Sequence, residues 1–267
     1  MAERNRILNY LRDLCFPPRC VACCELLDWK APAEDRASQD ALCNRCLREW
    51  VSETLETCGI CAKRVGDCFC QPFPMSAAKS DGLCKLTYYL PQKKTPVQNR
   101  MIYSVKQKND CKTVHFLAEA LAPMLTARLS ELGLTDSEVV ITHLPRARSA
   151  VLFHGVDQAK ALALGLSAML GVSHSTLIVR RRGADRVQKA LSVTEREKNA
   201  KHAFLPAKNV ECRGKTVLLV DDIVTTGAGM AACTRILRKM GAAHVIAVAI
   251  ASDVKNKDVI EFRSPKA

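Results

Sequence analysis

The sequence predicts an α/β fold, a parallel sheet covered on both faces by helices and preceded by a small domain built on cysteine. Three observations carry that prediction. Ten of the fourteen cysteines lie in the first seventy residues. Beyond residue 75, short apolar runs alternate with helical patterns, as in successive strand–helix units. The chain, 267 residues with 48% apolar and 25% charged, is long enough to bury a sizeable core and too apolar for wholesale disorder.

The cysteines come first in order. Cys20-Val-Ala-Cys23, Cys43-Asn-Arg-Cys46 and Cys58-Gly-Ile-Cys61 are C-x2-C pairs, and Cys68-Phe-Cys70 is C-x-C. Two thiolates at this spacing on a tight turn point at one ion, and two such turns complete the four-thiolate shell that zinc favours. The simplest pairing places Cys20, Cys23, Cys43 and Cys46 in one site and Cys58, Cys61, Cys68 and Cys70 in a second. Cys24 is an alternative to Cys23, and Cys15 is a spare. No histidine precedes His115, so both cages are all-thiolate, closed and structural rather than catalytic. The competing reading is a set of buried or redox cysteines. A segment of this size with few large apolar side chains needs metal to make a core.

Residues 71–82, with two prolines, have a linker composition, which puts the domain boundary near residue 75: a cysteine domain at 1–75 and an α/β domain at 76–267. In the second domain strands are expected at 84–90, 138–144, 175–180, 216–221 and 244–251. Helices are expected at 97–107, 111–131, 156–170, 192–201 and 228–240. Val114, Leu117, Leu121, Leu125 and Leu129 line one face of the second helix, and Pro123 should bend or break it.

The longest apolar run, Ala161 to Val172, is about twelve residues, against about twenty for a membrane span. The first twenty residues carry four arginines and no long apolar block, so no export signal is read and a cytoplasmic location is expected. Charge is uneven: the balance is −1 over residues 1–75 and +14 over 76–267. The second part therefore suits polyanions or phosphorylated small molecules, or simply carries a solubilising surface.

The segment richest in chemistry is Lys215-Thr-Val-Leu-Leu-Val-Asp-Asp-Ile-Val-Thr-Thr-Gly-Ala-Gly-Met230. An apolar strand delivers Asp221 and Asp222 at its carboxyl end. The loop Thr225-Thr226-Gly227-Ala228-Gly229 follows, and then a helix. Backbone N–H groups in such a loop, with the helix dipole behind them, suit a phosphate. Acids beside a phosphate pocket suit a ligand that also brings hydroxyls or a divalent cation, as a ribose 5-phosphate does.

This segment resembles the phosphoribosyl pyrophosphate (PRPP) signature of type I phosphoribosyltransferases. With the cysteine-rich front end, the chain resembles the ComF/GntX family, which joins a zinc ribbon to a type I phosphoribosyltransferase-like domain. Tyr103-Ser-Val-Lys106, Leu144-Pro145-Arg146 and the run Gln188, Leu191, Arg196, Asn199 and Phe204 fit that family as well. The resemblance implies PRPP bound with magnesium, its 5-phosphate on residues 225–229, its diol on Asp221 and Asp222 and its pyrophosphate near Pro145 and Arg146. It implies phosphoribosyl transfer to a nitrogen acceptor, and alternatively single-stranded DNA binding in competence and DNA uptake, together with other competence proteins. The basic run from Arg180-Arg181-Arg182 through Arg186, Lys189, Arg196, Lys198 and Lys201 corresponds to a segment that folds over PRPP, or is a solvated surface. The chain departs from the family in three places. Gly229 lacks a hydroxyl, Ser149 stands where an arginine is common, and His154-Gly-Val-Asp-Gln158 replaces Arg-Gly-Phe-Asn-Gln. Rings available for stacking on bases are Tyr88, Tyr89, Tyr103, Phe116 and Phe153.

Overall fold

A computed structural model describes residues 15–27, 41–90, 96–108, 110–134, 139–181 and 202–253. The elements in order are α1 (Asn44–Thr54), α2 (Phe73–Ala77), β1 (Leu83–Tyr88), α3 (Val97–Lys108), α4 (Cys111–Glu131), β2 (Val139–His143), α5 (Arg148–His154), α6 (Gln158–Leu170) and β3 (Ser173–His174). They continue as β4 (Ile178–Arg180), β5 (Phe204–Pro206), β6 (Thr216–Val224), α7 (Ala228–Lys239) and β7 (His244–Ser252). The expected helix at 192–201 lies outside the described residues, as do Arg182, Arg186, Gln188, Lys189, Leu191, Arg196, Lys198, Asn199 and Lys201.

Five strands form one sheet in the order β1-β7-β6-β2-β3, and every pairing is parallel. A parallel sheet is covered on both faces, so its inner strands read as continuous apolar runs. Leu218, Val220, Ile246 and Val248 point into a cluster with residues of α3, α4 and α6. Their neighbours Val217, Leu219, Val245 and Ala247 point into a second cluster with α7 and Met75. Burying each large aliphatic side chain contributes about 1.5–3 kcal/mol. Leu117, Leu121, Leu125 and Leu129 of α4 are all buried, as their spacing requires. Pro123 sits on the exposed side of α4, and the helix runs on to Glu131 without the expected break. The carbonyl that loses its helical partner to Pro123 belongs to Glu119, an exposed residue within reach of water.

Two expectations change. The run at 175–180 does not join the main sheet: Ile178–Arg180 pairs antiparallel with Phe204–Pro206. The chain leaves the sheet where Ser175 donates to the Ile141 carbonyl and the Leu177 amide turns to the Thr142 hydroxyl, leaving the two-residue β3 as the edge. The linker-like stretch is also packed. Pro72-Phe-Pro starts the short helix α2, and its Met75 is fully buried in the α7 cluster. The cysteine-rich segment shares a core with the sheet, since Cys20, Cys46 and Trp50 lie in one cluster with Leu117 and Leu121. The Trp50 ring is 5.6 Å from that of Phe116. Among the described residues no helix is long and apolar enough to cross a membrane.

Candidate functional site

The carboxyl ends of β2 and β6 build the site. Side chains on a strand alternate between faces, so Val220 and Asp222 share the α3 side while Leu219 and Asp221 share the α7 side. The structure therefore separates the two acids that the sequence places together. Oδ2 of Asp222 accepts from Arg146 Nη2 at 2.8 Å and lies 3.3 Å from Lys106 Nζ. Its Oδ1 accepts from the Ile223 amide at 2.7 Å. Asp221 Oδ1 accepts from the Asp222 amide at 2.8 Å. Burial, and then the charge of Asp222, holds the Asp221 carboxyl well above the usual carboxylate range.

The strand hands over directly to the predicted loop. Thr225 is exposed, and the Thr226 hydroxyl accepts from the Ala228 amide at 3.4 Å. Gly227 is the N-cap of α7 at φ 73°, a left-handed conformation that favours glycine. A β-carbon there would stand 2.9 Å from the Met75 side chain and 3.1 Å from Pro72. Helix α2 thus holds the loop from one side. Gly229 faces Leu144, whose amide donates to the Val220 carbonyl at 2.8 Å. That bond brings the Leu144-Pro145-Arg146 loop against the start of α7.

Sequence reasoning missed the residues that brace this loop. Asp157 caps α6, accepting from the Lys160 amide, and also accepts from the Arg146 amide at 3.4 Å. Gln158 is buried and donates to the Lys106 carbonyl at 3.3 Å, which fixes the helix that carries Lys106. Gly155 closes α5 at φ 74°. The divergent stretch 154–158 therefore still shapes the backbone, with Gly155 and Gln158 retained and Asp157, in place of the family's Asn, as the cap; the side chain of His154 lies outside the described residues. Also missed was His143, whose Nδ1 is 3.1 Å from His174 Nε2 in a stacked pair. Desolvation pulls His143 down to about 4.

Of the candidate stacking rings, Tyr88 is buried in the core and Phe116 packs on Trp50. Tyr89 and Tyr103 meet hydroxyl to hydroxyl at 3.3 Å, which pushes Tyr89 up to about 12, with smaller contributions from burial and the charge of Asp222. Tyr103 and Phe153 remain exposed.

The cysteines gather as their spacing predicts. The sulfurs of Cys20, Cys23, Cys43 and Cys46 lie within 4.8 Å of one another, as do those of Cys58, Cys61, Cys68 and Cys70. Each of the hairpins that carry Cys20-x2-Cys23 and Cys58-x2-Cys61 is closed by a single bridge, Arg19 to Leu26 and Thr57 to Arg64. In both hairpins the residue after the second cysteine is left-handed, Cys24 at φ 63° and Ala62 at φ 57°. Cys24 is therefore the counterpart of Ala62, outside the cage, and Cys23 is the member of the set. Cys43 and Cys46 come from the start of α1. Four thiolates this close repel one another. Cys68 is drawn down to about 4, chiefly by the hydrogen bond from Cys70, and Cys70 is pushed up by Cys68 and by burial. A divalent cation lets all four ionise together, so both donor sets fit zinc.

Strand, acid, loop and helix follow in this order on a parallel sheet, and residues 150–263 match the family model described as phosphoribosyl transferase domain. Three curated relatives extend the comparison. Competence protein F of Haemophilus influenzae is 35% identical over 45% of this chain and 56% of its own length. A DNA utilization protein YhgH of Salmonella typhimurium is 26% identical over 77% of this chain and 86% of its own. An adenine phosphoribosyltransferase of Mycobacterium marinum is 33% identical over 34% of this chain and 49% of its own. The match thus spans about half the length of competence protein F and of the adenine phosphoribosyltransferase. The domain match, competence protein F and the YhgH proteins together support the ComF/GntX family for this chain.

Proposed function

We propose that the chain binds PRPP, or a related ribose phosphate, as its magnesium complex, and transfers the phosphoribosyl group to a nitrogen acceptor. The observation that carries this reading is Asp222, buried at the sheet's carboxyl end, clamped by Lys106 and Arg146 and followed directly by the Thr225–Gly229 loop. The loop amides and the α7 dipole would hold the 5-phosphate. A ribose hydroxyl arriving at Asp222 would take over as its donor, freeing Lys106 and Arg146 for pyrophosphate oxygens. Magnesium, bound through hard oxygen ligands, would supply charge neutralisation at the pyrophosphate. As the bond at ribose C1 breaks, negative charge grows on the leaving pyrophosphate, where the two side chains, set in place beforehand, stabilise it. Two zinc ions, one in each cysteine cage, would hold the front of the chain together.

A second reading, single-stranded DNA binding in DNA uptake, is favoured by one observation. Phe153 and Tyr103 are exposed on α5 and α3, the helices beside Arg146 and Lys106, which agrees with a relative named DNA utilization protein YhgH. Calorimetric titration with PRPP and magnesium, then with single-stranded DNA, separates the readings on one sample. Saturable magnesium-dependent PRPP binding, lost when Asp222 becomes Asn, supports the first. Undiminished binding by that variant removes it. A steep loss of DNA affinity with salt marks phosphate contacts.

A further inference from the structure

We infer that each cysteine cage takes a counter-cation from the α/β part of the chain, Lys85 of β1 for the second cage and Arg100 of α3 for the first. The inference rests on the reading that both cages hold zinc.

Lys85 is completely buried in a strand of the main sheet. Its ammonium lies 3.4 Å from Cys68 Sγ, 3.3 Å from the Cys68 carbonyl and 3.1 Å from the Cys70 carbonyl. An ammonium has three donors, and all three find acceptors on one short cysteine segment. No carboxylate pairs with Lys85 among the described residues. A buried cation needs an anion beside it, and here the neighbouring anions are the thiolates. Arg100 repeats the arrangement at the other cage, with Nη2 3.3 Å from Cys46 Sγ and 2.7 Å from Glu49 Oε2.

Zinc in four thiolates leaves a net charge of about −2. Sinking that charge between a sheet and a helix is costly unless a positive group offsets it. A hydrogen bond to a ligand sulfur also fixes its lone pairs and tunes its donor strength, and losing such an outer partner typically weakens metal binding about 10–100-fold. The cages differ in how much they depend on their cation. Arg100 is partly exposed and shares its charge with Glu49, whereas Lys85 is fully buried, with its three hydrogen bonds to Cys68 and Cys70 and the Tyr88 ring 5.9 Å from its ammonium. The second cage is therefore the more dependent. Each cation also joins its cage to the α/β part, so zinc retention reports on how the two parts are docked.

The test uses the full chain with Lys85→Met, Arg100→Met and Arg100→Lys. Zinc per chain is measured under graded chelator, and released cysteines are alkylated and mapped. Wild type should hold two ions. Lys85→Met should release the second at about tenfold lower chelator or more, exposing Cys58, Cys61, Cys68 and Cys70 first. Arg100→Met should weaken the first cage by a smaller factor, and Arg100→Lys should restore it. Wild-type retention in a folded Lys85→Met chain overturns the inference. Should that variant not fold, Arg100→Met carries the test, and unchanged retention of the first ion overturns it. Fewer than two ions in wild type would instead defeat the underlying zinc reading, which the variants are not needed to show.

Discussion

Arg146 donates to Asp222 across 2.8 Å, joining the end of β2 to the end of β6. With Lys106 on the same carboxylate oxygen, two cations converge on one acid. Asp221, on the other face, has no such clamp among the described residues, and burial favours its protonated form. The two Asn variants should therefore differ. Asp222→Asn leaves two cations without their anion and should lower stability by about 1–2 kcal/mol, a buried pair's loss discounted for the partial exposure of both partners. It should also weaken PRPP binding at least tenfold. For Asp221 the folded pKa is raised, so stability falls as pH climbs from the unfolded value through the folded one. Asp221→Asn removes that loss and should leave the melting temperature at neutral pH unchanged or higher. Thermal melts and calorimetry on both variants check the contrast.

The two loop glycines make a second contrast. At Gly227 a β-carbon meets Met75 at 2.9 Å and Pro72 at 3.1 Å, in a left-handed backbone. Strain and overpacking together should cost Gly227→Ala on the order of 3 kcal/mol. At Gly229 the nearest neighbour is a Leu144 methyl at 3.4 Å, an ordinary contact. Gly229→Ser should fold normally and, by restoring a hydroxyl donor at the loop, tighten PRPP binding several-fold. Denaturant midpoints and titration on the pair decide it.

Cys23 and Cys24 are adjacent, yet only Cys23 lies in the first cage. Cys24 matches Ala62 in the other hairpin, both left-handed. Cys23→Ser should lower bound zinc from two ions to one, while Cys24→Ser retains both. Cys24→Gly, which relaxes the backbone at φ 63°, should retain both and raise the melting temperature slightly. Metal analysis of the purified variants checks all three.

The sequence made the architecture legible where chemistry is local. Apolar runs at 216–221 and 244–251 became the central strands because both of their faces are covered. The C-x2-C pairs, with the one C-x-C pair Cys68-Phe-Cys70, foretold both cages because two thiols on one turn must converge. What it hid depends on alternation and distance along the chain. Adjacent acids look equivalent as letters, but the pleat sends Asp221 and Asp222 to opposite faces. Lys85 reads as a lone charge in a strand-like run, and its acceptors 15 and 17 residues away leave no mark in the pattern. The helix α2 was hidden by its two prolines, which suggest a linker yet suit a helix's first turn. The segment 175–180 has a strand's composition, and nothing in its letters says that its partner is Phe204–Pro206.

The stacked histidines give the chain a specific acid response. His143 is buried at the end of β2, and its Nδ1 meets Nε2 of His174, so at most one proton can sit between the rings. Desolvation lowers His143 from 6.5 to about 4, against the pull of Asp157, with His174 and Lys160 adding to the fall. His174 is lowered by desolvation and then by Lys160. For His143 the unfolded chain binds the extra proton between these two values, so stability is fully present above pH 6.5 and falls as pH drops toward 4. A tenfold change in proton affinity is worth about 1.4 kcal/mol, so the loss is at most about 3.5 kcal/mol. His143→Asn removes the titrating ring, so the variant should be less stable than wild type at neutral pH, where the packed pair is lost. Its stability should also fall less steeply between pH 6.5 and about pH 4. The cages respond to acid equally in both chains, so the difference between the two curves isolates the histidine. Urea midpoints across that range should converge on acidification; parallel curves would show that His143 titrates alike in the folded and unfolded chain.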